Sequence, residues 1–237
     1  YDSKGKPRVF PAHTIPYVIA GTCILFFGWF GFNGGSSMSA TDLRNSVVMV
    51  NTYLAGGAGA TVIALLTYAK HKRSDPLLIC NGALGGLVAV TAPCAYIAPW
   101  AAVIIGLVAG PIVWVVNWLV EWKLKIDDPV GAFGVHGGCG IFGLIAVGIF
   151  SDGTYGGVEG LILGKTGQII SQLIAAGVAI GFSFTIALVI FGAIKYTIGL
   201  RVSKEEEVMG LDIGEHGYSA YPEFVITEVR TEEDEEQ

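Results

Sequence analysis

The chain has 237 residues, of which 52% are hydrophobic and 14% are charged, and its mean hydropathy is +0.60. Because a soluble domain carries about 25% charged residues, most of this chain is predicted to lie out of water. The net charge of -6 owes much to the acidic final stretch, TEEDEEQ, and the absence of a basic stripe argues against a nucleic-acid-binding protein. The 4 cysteines form no CxxC pair, so neither a disulfide framework nor a zinc ribbon is predicted.

Six apolar stretches are predicted to form membrane-spanning helices, each of which needs about 20 apolar residues. They cover residues 15–35, 46–68, 77–91, 100–122, 130–150 and 169–198, and the third is the shortest and the most broken by glycine. The segment before them is polar, begins with Tyr1 and lacks the apolar core of a signal peptide, so we predict a loop there. The sequence therefore predicts an all-α membrane protein with a membrane domain, 1–198, and a cytoplasmic C-terminal region, 199–237.

The basic residues predict the orientation of these helices. If the first helix runs from the inside to the outside, all of the 14 basic residues except Arg44 and Lys165 fall in inside segments. This asymmetry is the positive-inside pattern of multi-pass membrane proteins. We therefore expect both ends of this chain to be cytoplasmic, and we expect the mixed-charge region 199–237 to be ordered and to dock on another surface.

The chain has 34 glycines, and many of them lie inside the predicted helices. Small residues let membrane helices approach each other closely, so the pattern predicts a tightly packed helix bundle. The clusters are Gly56, Gly57 and Gly59; Gly82, Gly85 and Gly86; and Gly134, Gly137, Gly138, Gly140 and Gly143.

His136 is the one histidine within a predicted span. Asp128 is expected to cap the fifth helix, with Pro129 as its first helical residue, which puts His136 about 10 Å along that helix. An ionisable side chain at this depth usually faces a cavity or a partner, and neutral imidazole both donates and accepts, which suits a pore for a small polar molecule. The alternative is an imidazole tied to a carbonyl for packing alone.

Metal binding and enzymatic catalysis have little support in the sequence. Cys139 is expected to share a helix face with His136, but two ligands are too few for a metal site, and no cofactor is predicted. No GxSxG, HExxH or Walker A motif occurs, and the span interiors hold no Asp or Glu. We therefore predict a pore or a transporter and not an enzyme.

The end of the first span, FFGWFGFNGGSS, allows two interpretations. Trp29, Phe30 and Phe32 are typical of an aromatic belt at the membrane surface. They also suit a vestibule that attracts a cation by cation–π contact, to which Ser36 adds a hydrogen bond.

Other polar residues within the spans are assigned to hydrogen bonds between helices. These are Asn51, Thr52, Asn117, Gln172, Ser183 and Thr185.

Five stretches together resemble the ammonium transporter family (Amt/Mep, relatives of the Rh proteins). They are FGWFGFNGGS, VNTYLAGGAGA, GALGGLVAVTAPCAYIAPWAAVIIGLVAG, IDDPVGAFGVHGGCGIFG and GLRVSKEEEVMGLDIGEHGYSAY. The resemblance runs along nearly the whole chain and implies a fold of eleven membrane helices, built as an inverted repeat and assembled as a homotrimer with one pore per subunit. This chain resembles the sixth to eleventh helices and the C-terminal region, so its fold is expected to be the second half of that arrangement.

The resemblance also implies roles for particular residues. His136 matches the second histidine of the family's twin-histidine pair, Phe32 matches one of two stacked gate phenylalanines, and Ser36 matches the serine of the outer ammonium-recruitment site. The remaining matches are Leu25, Trp29, Ala132 and Val135 at or near pore-lining positions, and Asp127 and Asp128 at the inner end of the helix that carries the histidine.

In this family ammonium is deprotonated on entry, ammonia crosses past the histidines, and the proton travels separately. A dry, apolar pore fits this route because a bare cation there faces a large desolvation cost. Two alternatives remain: an ammonium sensor that signals through its cytoplasmic tail, and a structural membrane subunit without transport. The structural subunit leaves His136 and the Phe32–Ser36 vestibule unexplained.

The C-terminal region resembles the segment that contacts the neighbouring subunit and PII-type regulatory proteins in relatives. The stretch EHGYSAY departs from the family where relatives often carry a polar or acidic residue in place of Tyr218. The resemblance therefore implies ammonium or ammonia, membrane lipid, a homotrimer and a PII-type protein as partners.

The family's first five helices are absent from this sequence. With them go the first histidine, the other gate phenylalanine and the acidic residue that helps to recruit ammonium, so this chain alone is not expected to enclose a pore. Three explanations are open: a piece of a longer gene product, a split gene whose other chain supplies the first half, or a half with another role.

Overall fold

The structure, a computed structural model, describes residues 1, 5–8, 12 and 14–221. In these residues it is helical, with one isolated bridge between Asp152 and Glu159 and no strand. The helices are α1 (Ile15–Gly35), α2 (Leu43–His71), α3 (Pro76–Thr91), α4 (Pro99–Trp118), α5 (Cys139–Phe150), α6 (Gly167–Thr197), α7 (Lys204–Met209) and α8 (Leu211–His216). A π-helical segment, Leu119–Lys123, continues α4, and another, Phe133–Gly138, leads into α5.

The six predicted apolar helices are confirmed, and their ends lie close to the predicted ones. Among the described residues, five helices are long and apolar enough to span a membrane, counting each π-helical segment with its helix. The third apolar helix, α3, has 16 residues and falls short of that length, as its glycine-broken sequence suggested. The chain therefore has the helix content of a multi-pass membrane protein.

Two helix starts are fixed by aspartate caps. The Asp42 carboxylate accepts a hydrogen bond from the amide of Arg44 at the start of α2. At the start of α3, Asp75 accepts from two amides, those of Leu77 and Leu78. Each cap satisfies amides that have no partner inside the helix, which locates α2 and α3 along the chain.

The centre of the bundle is a close packing of α2, α3 and α4 at glycines. A Cβ atom on Gly59 of α2 would overlap the carbonyl of Gly82 in α3, and one on Gly86 of α3 would overlap the carbonyl of Ala55 in α2. Gly106 of α4 approaches that same Ala55 carbonyl. The predicted packing role of the glycines is therefore confirmed at these positions.

The helix ends gather at two levels, as alternating spans require. The end of α1, the start of α2 and the link between α3 and α4 line one cavity. The starts of α1 and α3, the end of α4 and residues 128–131 line another. Following the predicted orientation, we name these the outer end and the inner end, respectively.

The chain divides into two compact units, Tyr1–Ala179 and Ile180–Gln237, and the division falls within α6. The predicted boundary after residue 198 lies further along the chain and stays a prediction.

In the second unit a capping box starts α7, since Ser203 and Glu206 each accept from the other's amide. The Asp212 carboxylate accepts from the amide of Ala220 at 2.9 Å, which joins α8 to the residues that follow it. Residues 222–237 of the predicted cytoplasmic region lie outside the described residues.

Candidate functional site

His136 lies in the π-helical segment Phe133–Gly138, and its side chain is exposed. It lines a groove of about 450 Å³ together with Ala132, Phe133 and the aspartates Asp127 and Asp128. The walls of the groove are otherwise apolar, so an imidazole that can both donate and accept lies on an open, mostly apolar surface.

The Asp128 carboxylate accepts amides at the start of this segment, as predicted, but the N-cap position falls at Ala132 and not at Asp128, and the predicted helical position of Pro129 is wrong. The two carboxylate oxygens of Asp128 accept from the amides of Ala132 and Phe133 at 2.9 and 2.8 Å. Pro129 lies in a turn before the helix, because Gly131 has a φ of +73°, which is a left-handed conformation that a helix cannot contain. His136 is therefore the fourth residue of the segment that starts at Phe133, so it lies closer to the helix start than the predicted 10 Å.

The π-helical segment is held against α4 by glycine. A Cβ atom on Gly134 would overlap the Asn117 side chain of α4 and would lie 2.9 Å from the carbonyl oxygen of Val113. The amide of Cys139 reaches back five residues to the carbonyl of Gly134, which is the hydrogen bond of a π-helix. Segments of this kind are often found at functional sites.

The wider π-helical turn separates His136 from Cys139. His136 is exposed, whereas Cys139 is fully buried and its thiol donates to the carbonyl of Ala109. The expectation that the two residues share a helix face is therefore wrong, because it assumed the spacing of an α-helix. Val135 is also buried, at 2% exposure, in the packed core, so it does not lie on the open groove of His136.

At the outer end, the hydroxyl of Ser36 donates to the carbonyl of Phe32 at 2.6 Å. Its single hydrogen is thereby used, and the exposed oxygen keeps its lone pairs for accepting. Such an oxygen can receive a hydrogen bond from a cation such as an ammonium ion, and it repels no positive charge.

The aromatic residues of α1 divide between two sides. Trp29 donates from its indole to the hydroxyl of Thr91 at 2.9 Å, and its ring meets that of Phe32 edge to face at 5.8 Å. Phe32 is itself 62% exposed. Phe30 instead stacks on Tyr53 of α2, so it belongs to helix packing. Trp29 and Phe32 therefore contact each other on one side of α1, and the choice between a belt and a vestibule stays a prediction.

The predicted site residues form two groups. Trp29, Phe32 and Ser36 lie together at the outer end of α1, and Leu25 lies one turn earlier on that helix with 51% exposure. The second group surrounds His136 in the groove near the inner end. It contains Ala132, His136, Asp127 and Asp128.

Sequence reasoning found some polar partners and missed others. Asn51 joins α2 to the link after α3 by donating to the carbonyls of Cys94 and Ile97, as predicted for a polar residue in a span. Thr52 likewise accepts from Asn33 of α1, as predicted for Thr52, whereas the role of Asn33 and the support of Trp29 by Thr91 were not predicted. A polar residue inside an apolar helix was the available signal, but the sequence does not say which helix supplies its partner.

The comparisons with known proteins agree on one family. The family model described as the Ammonium Transporter Family matches residues 1–221. Ammonium transporter Amt2 of Archaeoglobus fulgidus is 48% identical over 235 residues, which cover 96% of this chain and 50% of that protein. The ammonium transporter of Bacillus subtilis is 33% identical over 211 residues, which cover 88% of this chain and 52% of that protein.

Solved structures show the same likeness. The structure described as a Sensor Amt Protein superposes with a TM-score of 0.84 at 34% identity, covering 91% of this chain and 52% of that one. The crystal structure of Candida albicans Mep2 gives 0.76 at 28% identity, covering 86% and 47%. This chain spans about half the length of these relatives, and its helices match part of the transporter fold. The chain belongs to the ammonium transporter family, a family of transporters and not an enzyme class.

Proposed function

We propose that this chain, completed by the remaining helices of the family fold (together called the complete protein), moves ammonium across the membrane, with ammonia crossing through an apolar path past His136. The observation that carries the proposal is the place of His136, exposed on a mostly apolar groove in a chain of the ammonium transporter family. The relatives named as ammonium transporters support this substrate.

Recruitment of ammonium is proposed to take place at the outer end. The oxygen of Ser36 accepts a hydrogen bond from the cation, and the faces of Trp29 and Phe32 attract it by cation–π contact. Trp29 is held in place by Thr91, which reduces the entropy cost of binding. Phe32, which is exposed, serves as one member of the gate.

Beyond the gate, the path is proposed to admit ammonia and to exclude the cation. Moving an unpaired ion into an apolar environment costs far more than moving a neutral molecule, so passing the proton of ammonium to water at the entrance lowers the barrier. Leu25 and Ala132 are proposed to form part of the apolar wall of the path. His136 is proposed to form a hydrogen bond with ammonia as it passes. Val135, which is buried, is proposed to support this wall from behind.

The two aspartates near the inner end are proposed to have structural roles. Asp128 fixes the start of the helix segment that carries His136 through two amides. Asp127 lines the same groove and keeps its mouth polar. Neither needs to bind the substrate for the path to work.

The basic residues support a cell-membrane protein whose two chain ends, as given, lie in the cytoplasm. Lys and Arg are more frequent in the cytoplasmic loops of multi-pass membrane proteins. In this chain, only Arg44 and Lys165 of the 14 basic residues fall on the other side. The segment 1–198 is proposed to form the membrane domain, in contact with lipid, and 199–237 the cytoplasmic region.

Assembly as a homotrimer and docking of a PII-type regulatory protein on the C-terminal region are further parts of the proposal. Both rest on the family resemblance of GLRVSKEEEVMGLDIGEHGYSAY. Exposed apolar side chains on α7 and α8, among them Val208 and Met209, give that region a surface that a protein partner can cover.

Transport is tested with the complete protein in liposomes. We expect ammonium or methylammonium to drive a flux that matched potassium gradients do not. Binding of ammonium without flux, together with ligand-dependent capture of a cytoplasmic partner by the tail, would favour the sensor alternative. One structural relative is described as a sensor, whereas the curated relatives are named as transporters, so we place transport first.

A further inference from the structure

The helical segment that carries His136 is preceded by a tight turn over residues 128–131. The amide of Gly131 donates to the carbonyl of Asp128 at 3.1 Å, which closes the turn. The carbonyl of Gly131 then accepts from the amide of Val135 at 3.3 Å, inside the segment. The position of this turn therefore decides where the segment starts and in which direction it runs.

Two asparagines from neighbouring helices hold the turn from the side. Asn81 of α3 donates from Nδ2 to the carbonyl of Val130 at 2.9 Å, across 49 positions of the chain. A Cβ atom on Gly131 would lie 2.9 Å from that same Nδ2 and would overlap Nδ2 of Asn117 in α4. The backbone of Gly131 therefore lies between the two amide groups, and the hydrogen bond from Asn81 connects the turn to α3.

The helix α3 is a firm support for this hydrogen bond. The residue after Asn81 is Gly82, where a Cβ atom would overlap the carbonyl of Gly59 in α2. Because no side chain fits between α2 and α3 at this point, the position of Asn81 along the bundle is fixed by helix packing. The turn is therefore connected to the most closely packed part of the bundle.

The position of the His136 imidazole depends on the backbone that carries it. No residue in the described part of the chain forms a hydrogen bond with this imidazole, which is exposed on the groove. The backbone is held at the segment start by Asp128 and along the segment by the contact of Gly134 with Asn117. Asn81 adds a connection to α3 that neither of these contacts provides.

We propose that Asn81 is a positioning residue for His136. By holding the carbonyl of Val130 against α3, it fixes the start of the segment and therefore the direction in which the imidazole meets the groove. A group that acts on a substrate must be held to within about 0.5 Å by the residues that support it. The inference rests on the proposed function, because it assigns a supporting residue to the same site.

Substitutions at Asn81 in the complete protein test this role. Asn81→Leu removes the donor and keeps the size of the side chain, Asn81→Ala removes the whole amide, and Asn81→Gln keeps an amide. The ring resonances of His136 are followed by NMR in protein labelled at histidine, with His136→Ala to assign them. Asn51→Leu is the matched control, since Asn51 also donates to backbone carbonyls across helices but does so at the outer end.

We expect the His136 resonances to move in Asn81→Leu and Asn81→Ala and to stay in place in Asn81→Gln and Asn51→Leu. The ammonium rate in liposomes should fall several-fold in Asn81→Leu and Asn81→Ala and be restored in Asn81→Gln, because a small misplacement of a working group lowers the rate strongly.

Unmoved His136 resonances in either folded variant, Asn81→Leu or Asn81→Ala, would overturn the proposal, and so would an equal movement in Asn51→Leu. Moved resonances with an unchanged ammonium rate would overturn the link between Asn81 and transport. A complete protein that conducts no ammonium would contradict the proposed function, whereas the resonances would still decide whether Asn81 positions His136.

Discussion

Asp128 connects the start of a helix to the histidine that lies eight positions later. Its two carboxylate oxygens each accept a helix amide, so the turn made by Pro129 and Gly131 passes directly into the segment that presents His136. One aspartate therefore sets the position of the imidazole without contacting it.

Replacing Asp128 by alanine is expected to lower the free energy of unfolding by about 1 kcal/mol, because two amides at the helix start lose their acceptor. Thermal unfolding of the complete protein measures the change. Asp127→Ala is the matched control, since Asp127 accepts no helix amide in the described residues. Equal losses in the two variants would show that the cap does not stabilise the helix.

For single residues, the chemical role was easier to predict than the direction in which the side chain points. The sequence identified Asp128 as a cap and Ser36 and Phe32 as candidates, and the structure places these residues at helix ends and exposed surfaces. It did not predict the burial of Val135, because the side-chain direction depends on the π-helical turn. It also missed Asn33, whose partner lies on another helix.

Among the elements, α2 and α3 show how glycine determines the distance between helices. Close approach brings the carbonyl of one helix against the Cα of the other, and no side chain fits between them. The contact between the two helices leaves no room for another atom. The loss of stability caused by an added methyl group therefore depends on whether that group points into the contact or away from it.

Gly59→Ala and Gly57→Ala test this directly. A Cβ on Gly59 would overlap the Gly82 carbonyl, whereas one on Gly57 would meet no described atom within 4 Å. We expect Gly59→Ala to destabilise the complete protein by about 1–3 kcal/mol through overpacking and Gly57→Ala to cause no loss. Thermal unfolding in the same detergent compares them, and equal stability of both variants would contradict the packing account.

The C-terminal element has a predicted pH dependence. The amide of Ala220 donates to the carboxylate of Asp212 and, as the main cause, lowers the pKa of that carboxyl below its ordinary value. A lowered pKa contributes stability that is present above the unfolded pKa and is lost as the pH falls through the folded pKa. The contact should therefore persist down to the ordinary pKa of aspartate and open below it.

The amide resonance of Ala220 in selectively labelled protein reports this contact by NMR. We expect its shift to change only below the ordinary aspartate range, and the change to be absent in Asp212→Asn. A change centred at or above the ordinary aspartate pKa would show that the carboxylate is not held by the amide.

The helices themselves were well predicted because long apolar runs and caps are local signals. The predicted ends of α1 coincide with Ile15–Gly35, and the other apolar helices differ by a few residues. The π-helical segments were not predicted, because the extra residue per turn depends on contacts such as that of Gly134 with Asn117. The local sequence does not contain that information.

For the whole molecule, the main observation is an open surface. In this chain the side chains of Leu25, Phe32 and His136 are all exposed, although each is proposed to line a closed path. The chain also spans about half the length of its relatives. The path is therefore proposed to close when the corresponding other part of the fold covers this surface.

We expect the 237-residue chain, placed by itself in liposomes, to give no ammonium flux above that of protein-free liposomes. The reason is that the groove of His136 remains open on one side. Flux from this chain alone, at a level similar to that of the complete protein, would show that it encloses a path without further segments.

The role of His136 is the central claim, and transport through the complete protein tests it. Fluxes of ammonium and potassium are measured in liposomes that contain the unaltered protein, His136→Ala or His71→Ala, the last being a control at the exposed end of α2. We expect His136→Ala to lower the ammonium rate, to weaken the preference over potassium, or both, and His71→Ala to leave both unchanged. If His136→Ala leaves both rate and selectivity untouched, the path does not pass this histidine.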